Sequence, residues 1–123
     1  MPYNTLLSHN ANFNPVEFYI FAASLYKQQM NEVAYRTVIG RAYYSVMLCA
    51  RDYAKIRNSS GSVHSDVIKH FETRNRLVYN RMNDLKDLRN KADYKLTETI
   101  QKREARESLR LAEKILITLK YLP

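Results

Sequence analysis

Apolar residues recur at intervals of three and four along nearly the whole chain, and almost nothing interrupts them. Two glycines and three prolines occur in 123 residues, and only Gly40 falls inside a periodic segment. No run alternates apolar and polar residues with β-branched enrichment over a strand's length. The pattern therefore predicts an all-α chain: an antiparallel bundle of four long helices with one extra short helix. The length suits one domain, expected over residues 15–123 behind an N-terminal extension over residues 1–14. A disordered tail is excluded, because hydrophobic residues reach 46 % and ten tyrosines are present, enough to build a core.

Capping residues and stripes place the helices. Asn14 is an N-cap, Pro15 suits the first helical position, and Glu17 completes a capping-box-like pattern. Val16, Tyr19, Ile20, Ala23, Tyr26 and Met30 then form one stripe. Asn31 opens a second helix over residues 32–56. Val38, Ala42, Ser45, Cys49 and Tyr53 share one face of it, while Tyr43, Tyr44, Met47 and Leu48 lie on others. A helix apolar around most of its circumference is central or meets a second chain. Gly40 costs up to ~1 kcal/mol in a helix interior, a cost that close approach of another helix would explain. Residues 57–62 read as the clearest loop. A short helix follows over residues 63–72, with Val67, Ile68 and Phe71 inward. The fourth spans residues 76–92, with Val78, Met82, Leu85, Leu88 and Ala92 as its stripe. Thr97 is the expected cap of a last helix over residues 98–121. Its inner face is Ala105, Leu109, Ala112, Ile115, Leu116, Leu119 and Leu122.

Composition narrows the setting. The formal charge of +8 makes a polyanion a plausible partner, although a solvated basic surface explains it equally well. The segment over residues 69–95 is the richest in Lys and Arg. A single cysteine, Cys49, excludes an internal disulfide framework and favours a reducing compartment. No apolar run approaches the ~20 residues of a membrane span, and the first residues lack the pattern of a secretory signal. The expectation is a soluble cytoplasmic protein with no membrane partner.

Most catalytic templates fail. No glycine-rich phosphate loop occurs, and Cys49 sits in an apolar helix. His9, His64 and His70 lack metal-ligand spacing, so neither a metal site nor another cofactor is expected. The end of the fourth helix is different. At about 100° per residue, with Arg89 at zero, Asp93 lies near 40°, Asn90 near 100° and Tyr94 near 140°. Leu85, Ala92 and Leu88 lie near −40°, −60° and −100° on the same scale. Four polar groups thus share an arc beside the buried stripe, and Arg89 stands at its border. A partly desolvated guanidinium there suits bidentate phosphate binding. The same spacing also suits an i,i+4 ion pair between Arg89 and Asp93, with Tyr94 packed at the helix end.

Three motifs in order resemble the HEPN-domain family: Ile39-Gly40-Arg41-Ala42-Tyr43-Tyr44-Ser45 with Ala50-Arg51, then His64-Ser65-Asp66-Val67-Ile68-Lys69-His70-Phe71, then Leu88-Arg89-Asn90-Lys91-Ala92-Asp93-Tyr94. The likeness is to the small stand-alone branch and covers residues 31–121. It implies a five-helix, four-helix-bundle-like HEPN fold, a homodimer, and RNA or nucleotide binding in a cleft between subunits. Many relatives are metal-independent endoribonucleases acting as toxins or antiviral defence factors. Some are restrained by a nucleotidyltransferase-type antitoxin encoded beside them. Active members carry Arg, then four to six residues of which the first is usually polar, then His. Arg89 and Asn90 match, while Tyr94 stands where His is expected.

That difference bears on mechanism. In the family's chemistry a ribose 2′-hydroxyl attacks the adjacent phosphate, Arg stabilises the developing charge and His moves a proton. Free histidine titrates near ~6.5 and tyrosine near ~10, so Tyr94 is the poorer base at neutral pH. The expected catalytic set is Arg89, Asn90 and Tyr94. Asp93, Lys91, Arg41, Tyr44 and His64 are expected to bind substrate, with His64 the first substitute base to test. Simple packing is the other reading of Arg41, Tyr44 and His64, and Tyr43 reads as a core or dimer contact. The alternative function is a non-catalytic interaction module that binds a nucleotide or a partner such as a minimal nucleotidyltransferase. A third is a bundle that binds nucleic acid through charge alone.

Overall fold

The computed structural model describes residues 13–57 and 61–123. Most of the expected N-terminal extension, up to residue 12, and residues 58–60 of the expected loop lie outside the described residues. Those described form five helices and no strand: α1 (Val16–Gln28), α2 (Glu32–Ala54), α3 (Val63–His70), α4 (Arg76–Tyr94) and α5 (Lys102–Thr118). No helix among them is long and apolar enough to cross a membrane.

Short polar side chains start the helices by accepting the first free N–H groups. At α1 the expected cap shifts by one residue: Pro15, not Asn14, precedes the first helical residue and offers no side-chain cap, while Asn14 Oδ1 accepts from Val16 N at 3.0 Å. Asn31 Oδ1 accepts from Ala34 N at 2.8 Å, and Asn75 Oδ1 accepts from Val78 N at 3.1 Å. α2 ends in a left-handed residue, Lys55, with φ 58°. Its last carbonyls are satisfied by the Lys55 backbone N–H.

α2 packs against all four other helices, and α5 packs against α1, α2 and α4. α1 and α4 do not touch and flank the α2–α5 pair on opposite sides. Pair contacts give the directions. Asp93 of α4 lies over Gly40 of α2, and Arg89 lies over Tyr43, so α4 runs antiparallel to α2. Tyr19 of α1 reaches Glu113 of α5, whereas Ser45 of α2 bonds to Pro15 O before α1. α1 is therefore antiparallel to both. The main core joins Val46, Met47, Cys49, Phe71, Met82, Leu85, Ile115 and Leu116, and a second cluster joins Ala22, Val38, Ile39, Ala92, Ile100 and Ala105.

Several expectations shift. The inner face of α1 is Val16, Tyr19, Ala22, Leu25 and Tyr26. Ile20 and Met30, expected in the stripe, are 53 % and 73 % exposed. α1 is apolar nearly all round, so intervals of three and four fit more than one face. Tyr53 is likewise exposed, its ring tilted against that of Phe71. The last helix begins at Lys102 rather than residue 98. Gln101, not Thr97, precedes it, with Gln101 N donating to Glu104 Oε1 at 2.8 Å. Residues 95–101 are held outside a helix by Arg36 and by burial of Ile100. No helix backbone crowds Gly40: a Cβ there would meet only Asp93 Oδ1, at 3.4 Å.

Arg36 ties α2 to the end of α4. Its Nη1 donates to Ala92 O at 2.8 Å and its Nη2 to Glu98 O at 2.5 Å. Glu32 Oε2 orients the guanidinium at 2.8 Å and also accepts from Ile100 N at 3.1 Å. A cation here satisfies the terminal carbonyls of α4 and complements its dipole. Arg36→Ala is expected to lower unfolding free energy by about 2 kcal/mol, the scale of hydrogen bonds from a charged group. Urea denaturation measures it, and an unchanged midpoint would remove this tie from the account of the fold.

Candidate functional site

Arg89 projects from α4 toward α2 and is three-quarters covered, its side chain 24 % exposed. Nε donates to Asp93 Oδ2 at 2.9 Å. Nη1 reaches Asn90 Oδ1 at 3.5 Å, the limit of a hydrogen bond. Among the described residues these are the only acceptors on the guanidinium, and Nη2 has none. The guanidinium also packs against two rings, with Cζ 5.2 Å from the centroid of Tyr43 and 5.0 Å from that of Tyr94. One edge is thus fixed by a carboxylate, the plane is held by aromatic faces, and the Nη edge keeps unused donors.

Tyr43 reaches the site from beneath. It is buried on α2, and its hydroxyl lies 3.0 Å from Nδ1 of His64 at the start of α3. The two rings meet edge-on at 5.4 Å. Tyr43 therefore touches the imidazole with its hydroxyl and the guanidinium with its ring, bridging α3 and α4. Burial pushes its phenol above the ordinary range, partly offset by Arg89. His64 is held below the ordinary histidine value, first by burial and then by the positive charges of Arg89, Lys86 and Arg51. A half-buried imidazole among three cations stays neutral near pH 7. The same three charges favour an anion.

The structure brings Arg89, Asn90, Asp93, Tyr94 and His64 together around Tyr43, along the α2–α4 seam. Three other expected residues lie elsewhere. Lys91 turns to α5, where Nζ meets Glu104 Oε2 at 2.6 Å. It sits about 200° round the helix from Arg89, so the shared segment does not give it the shared site. Arg41 lies over the rings of Phe18 and Tyr44 at 5.5 and 5.1 Å, at the α1–α2 edge. Sequence reasoning read Tyr43 as a core or dimer contact, outside the site. A signal was present, because a tyrosine at a buried position demands a partner for its hydroxyl where phenylalanine would not. Cys49 is fully buried, and its thiol is pushed up to about 12, which leaves it unreactive.

Comparisons of the chain with family models, curated proteins and solved structures returned no match.

The His64 environment sets a pH dependence. A histidine whose folded pKa is depressed binds its proton more readily in the unfolded chain. Its contribution to stability is complete above the unfolded value of about 6.5 and is lost as pH falls through that region. His70 is shifted the same way, by burial and Arg74. Stability is expected to fall between pH 7.5 and 5.5, and His64→Gln should flatten part of that slope. NMR titration should place the His64 midpoint below 6.5, and Arg89→Gln should raise it. A midpoint at or above 6.5 would contradict the cationic surroundings described here.

Proposed function

We propose that this chain binds single-stranded RNA by its phosphodiester backbone at Arg89, as a HEPN-type RNA-binding protein. The observation that carries the reading is the guanidinium itself, clamped at Nε by Asp93 and braced by Tyr43 and Tyr94, with Nη1 only loosely held by Asn90 and Nη2 without an acceptor among the described residues. A guanidinium held in this way forfeits little entropy on binding and presents parallel donors to phosphate oxygens. Lys86 and Arg51 stand on the His64 side of the site, where the next phosphate of a strand would run. The overall charge of +8 adds attraction at longer range. The aromatic face of Tyr94, 65 % exposed, offers a base a surface to stack on.

The reading includes a homodimer. Val33, Thr37, Gly40 and Tyr44 follow one line of α2 between Phe18 and Phe21 of α1 and Asp93 of α4. Val33, Phe21 and Tyr44 on this strip are exposed. An apolar strip beside the site is what a second copy would cover, placing two Arg89 side chains near one cleft. Sedimentation at micromolar concentration is expected to give a dimer, and Tyr44→Glu to give a monomer. A monomeric wild type would remove the dimer from the reading.

The binding site has its own test. Fluorescence anisotropy with labelled single-stranded RNA should show Arg89→Ala losing about 10- to 100-fold in affinity, the worth of a charged hydrogen-bonded contact. Lys102→Ala and Arg106→Ala, on α5, should lose far less. Equal losses at all three, with steep and uniform salt dependence, would mark binding by charge alone.

A further inference from the structure

α3 and α4 leave a groove between them that the contacts of Arg89 do not use. It is a concavity of about 230 Å3, and Ile68, Lys69, Glu72, Tyr79, Asn83 and Lys86 line it. Tyr79, Asn83 and Lys86 follow at intervals of four and three, so they share the face of α4 that looks at α3. Lys69 and Glu72, from the end of α3 and the turn after it, form the opposite wall. Lys86 joins the groove to the site already described, because its charge also reaches His64.

The polar groups of the groove are held but not consumed. Glu72 N donates to Lys69 O at 3.1 Å, and Glu72 O accepts from Arg76 Nη1 at 3.3 Å. The backbone that carries the half-buried carboxylate is thus fixed on both sides. Asn83 Nδ2 donates to Tyr79 O at 3.2 Å, which leaves Oδ1 to accept. Among the described residues the side chains of Lys69, Glu72 and Lys86 enter no ion pair and no hydrogen bond. Free donors and free acceptors therefore stand beside the apolar surface of Ile68 and Tyr79.

Size and chemistry together select the occupant. The groove is smaller than the roughly 300–1,000 Å3 of pockets that enclose whole small-molecule ligands, and it suits a single planar base. A carboxylate accepts two parallel N–H bonds. Guanine is the standard RNA base whose pairing edge carries two adjacent N–H donors, N1–H and the N2 amino group. O6 beside them accepts, and an ammonium is a suitable partner for it. Adenine and cytosine set one amino group beside a bare ring nitrogen, which a carboxylate repels. Uracil sets one N–H between two carbonyls.

Resting on the RNA-binding reading above, we propose that the α3–α4 groove is a guanine-selecting subsite for the strand bound at Arg89. The Glu72 carboxylate accepts from N1–H and the N2 amino group, Lys69 donates to O6, and Ile68 and Tyr79 take the apolar surface of the ring. Lys86, on the side toward His64, meets the phosphate that links this nucleotide to the one at Arg89. A phosphate contact positions a strand without reading it, and the groove adds the reading.

The test uses the full chain and three short fluorescein-labelled RNA strands, with affinity read by anisotropy. One strand is oligouridine, one carries a single central guanosine, and one carries inosine there. Inosine keeps O6 and N1–H and lacks the N2 amino group. The wild type is expected to bind the guanosine strand about 10-fold more tightly than oligouridine, the scale of one bidentate base contact. Inosine should lose most of that gain. Glu72→Gln should bring the guanosine preference within about twofold, with an unchanged urea midpoint, and Lys69→Ala should cut it about threefold. Arg89→Ala should weaken the guanosine and uridine strands alike and keep their ratio. Equal wild-type affinity for these two strands would overturn the proposal, as would a preference that survives Glu72→Gln. In both cases the loss in Arg89→Ala, and the binding reading with it, stands. Unchanged affinity of Arg89→Ala for all three strands would overturn the binding reading and this proposal together.

Discussion

The register between α2 and α4 determines everything at the candidate site. It is set at one end by Arg36, whose guanidinium takes carbonyls from the last turn of α4 and from the segment beyond it. Further along, Met47 and Met82 lie in the shared core. Between these anchors Gly40 faces Asp93 and Tyr43 faces Arg89. A slip of one residue would swing Arg89 by about 100°, away from Tyr43 and out of reach of the imidazole it neighbours. The site is therefore a property of packing between two helices rather than of either alone.

Much of this architecture was legible in the residues, for reasons that differ by element. The stripe of α4 stands out because its other faces are charged, so Val78, Met82, Leu85, Leu88 and Ala92 are the way to bury it; four are buried and Leu88 is partly buried. Asn31 announces its helix because the residues after it begin a periodic apolar run. α1 defeats the same reasoning because phenylalanine, isoleucine and alanine occupy nearly every direction, and its phase is chosen by what α2 and α5 present. The start of α5 was missed for another reason. Glu98 to Gln101 carries a fair helical signal, but Arg36 and Glu32, about sixty residues earlier, capture its backbone groups. No local pattern contains that contact.

The candidate site divides along the same line. Arg89, Asn90, Asp93 and Tyr94 lie within six residues on one helix, so their arc followed from helical geometry. Lys91 belongs to that segment but not to that arc, and it pairs with Glu104. The contribution from outside the segment, Tyr43 and its hydrogen bond to His64, depends on how α2 seats α3. That relation lies across the loop at residues 57–62, where spacing carries no directional information.

Gly40 shows how the α2–α4 seam makes room for Asp93. A helix-interior glycine is a cost that close helix packing usually explains. Here, beyond α2's own backbone, a Cβ would meet a single oxygen, Asp93 Oδ1 at 3.4 Å. The glycine instead leaves the Asp93 carboxylate room beside α2 while its other oxygen holds Arg89 Nε. That carboxylate fixes the guanidinium without consuming its Nη edge. An aspartate pushed outward by a side chain at position 40 would pull Arg89 off the face of Tyr43. Small size at this position and the Arg89–Asp93 ion pair in the last turns of α4 are thus two parts of one arrangement. It keeps a positive charge oriented and three-quarters covered, with Nη2 lacking an acceptor among the described residues.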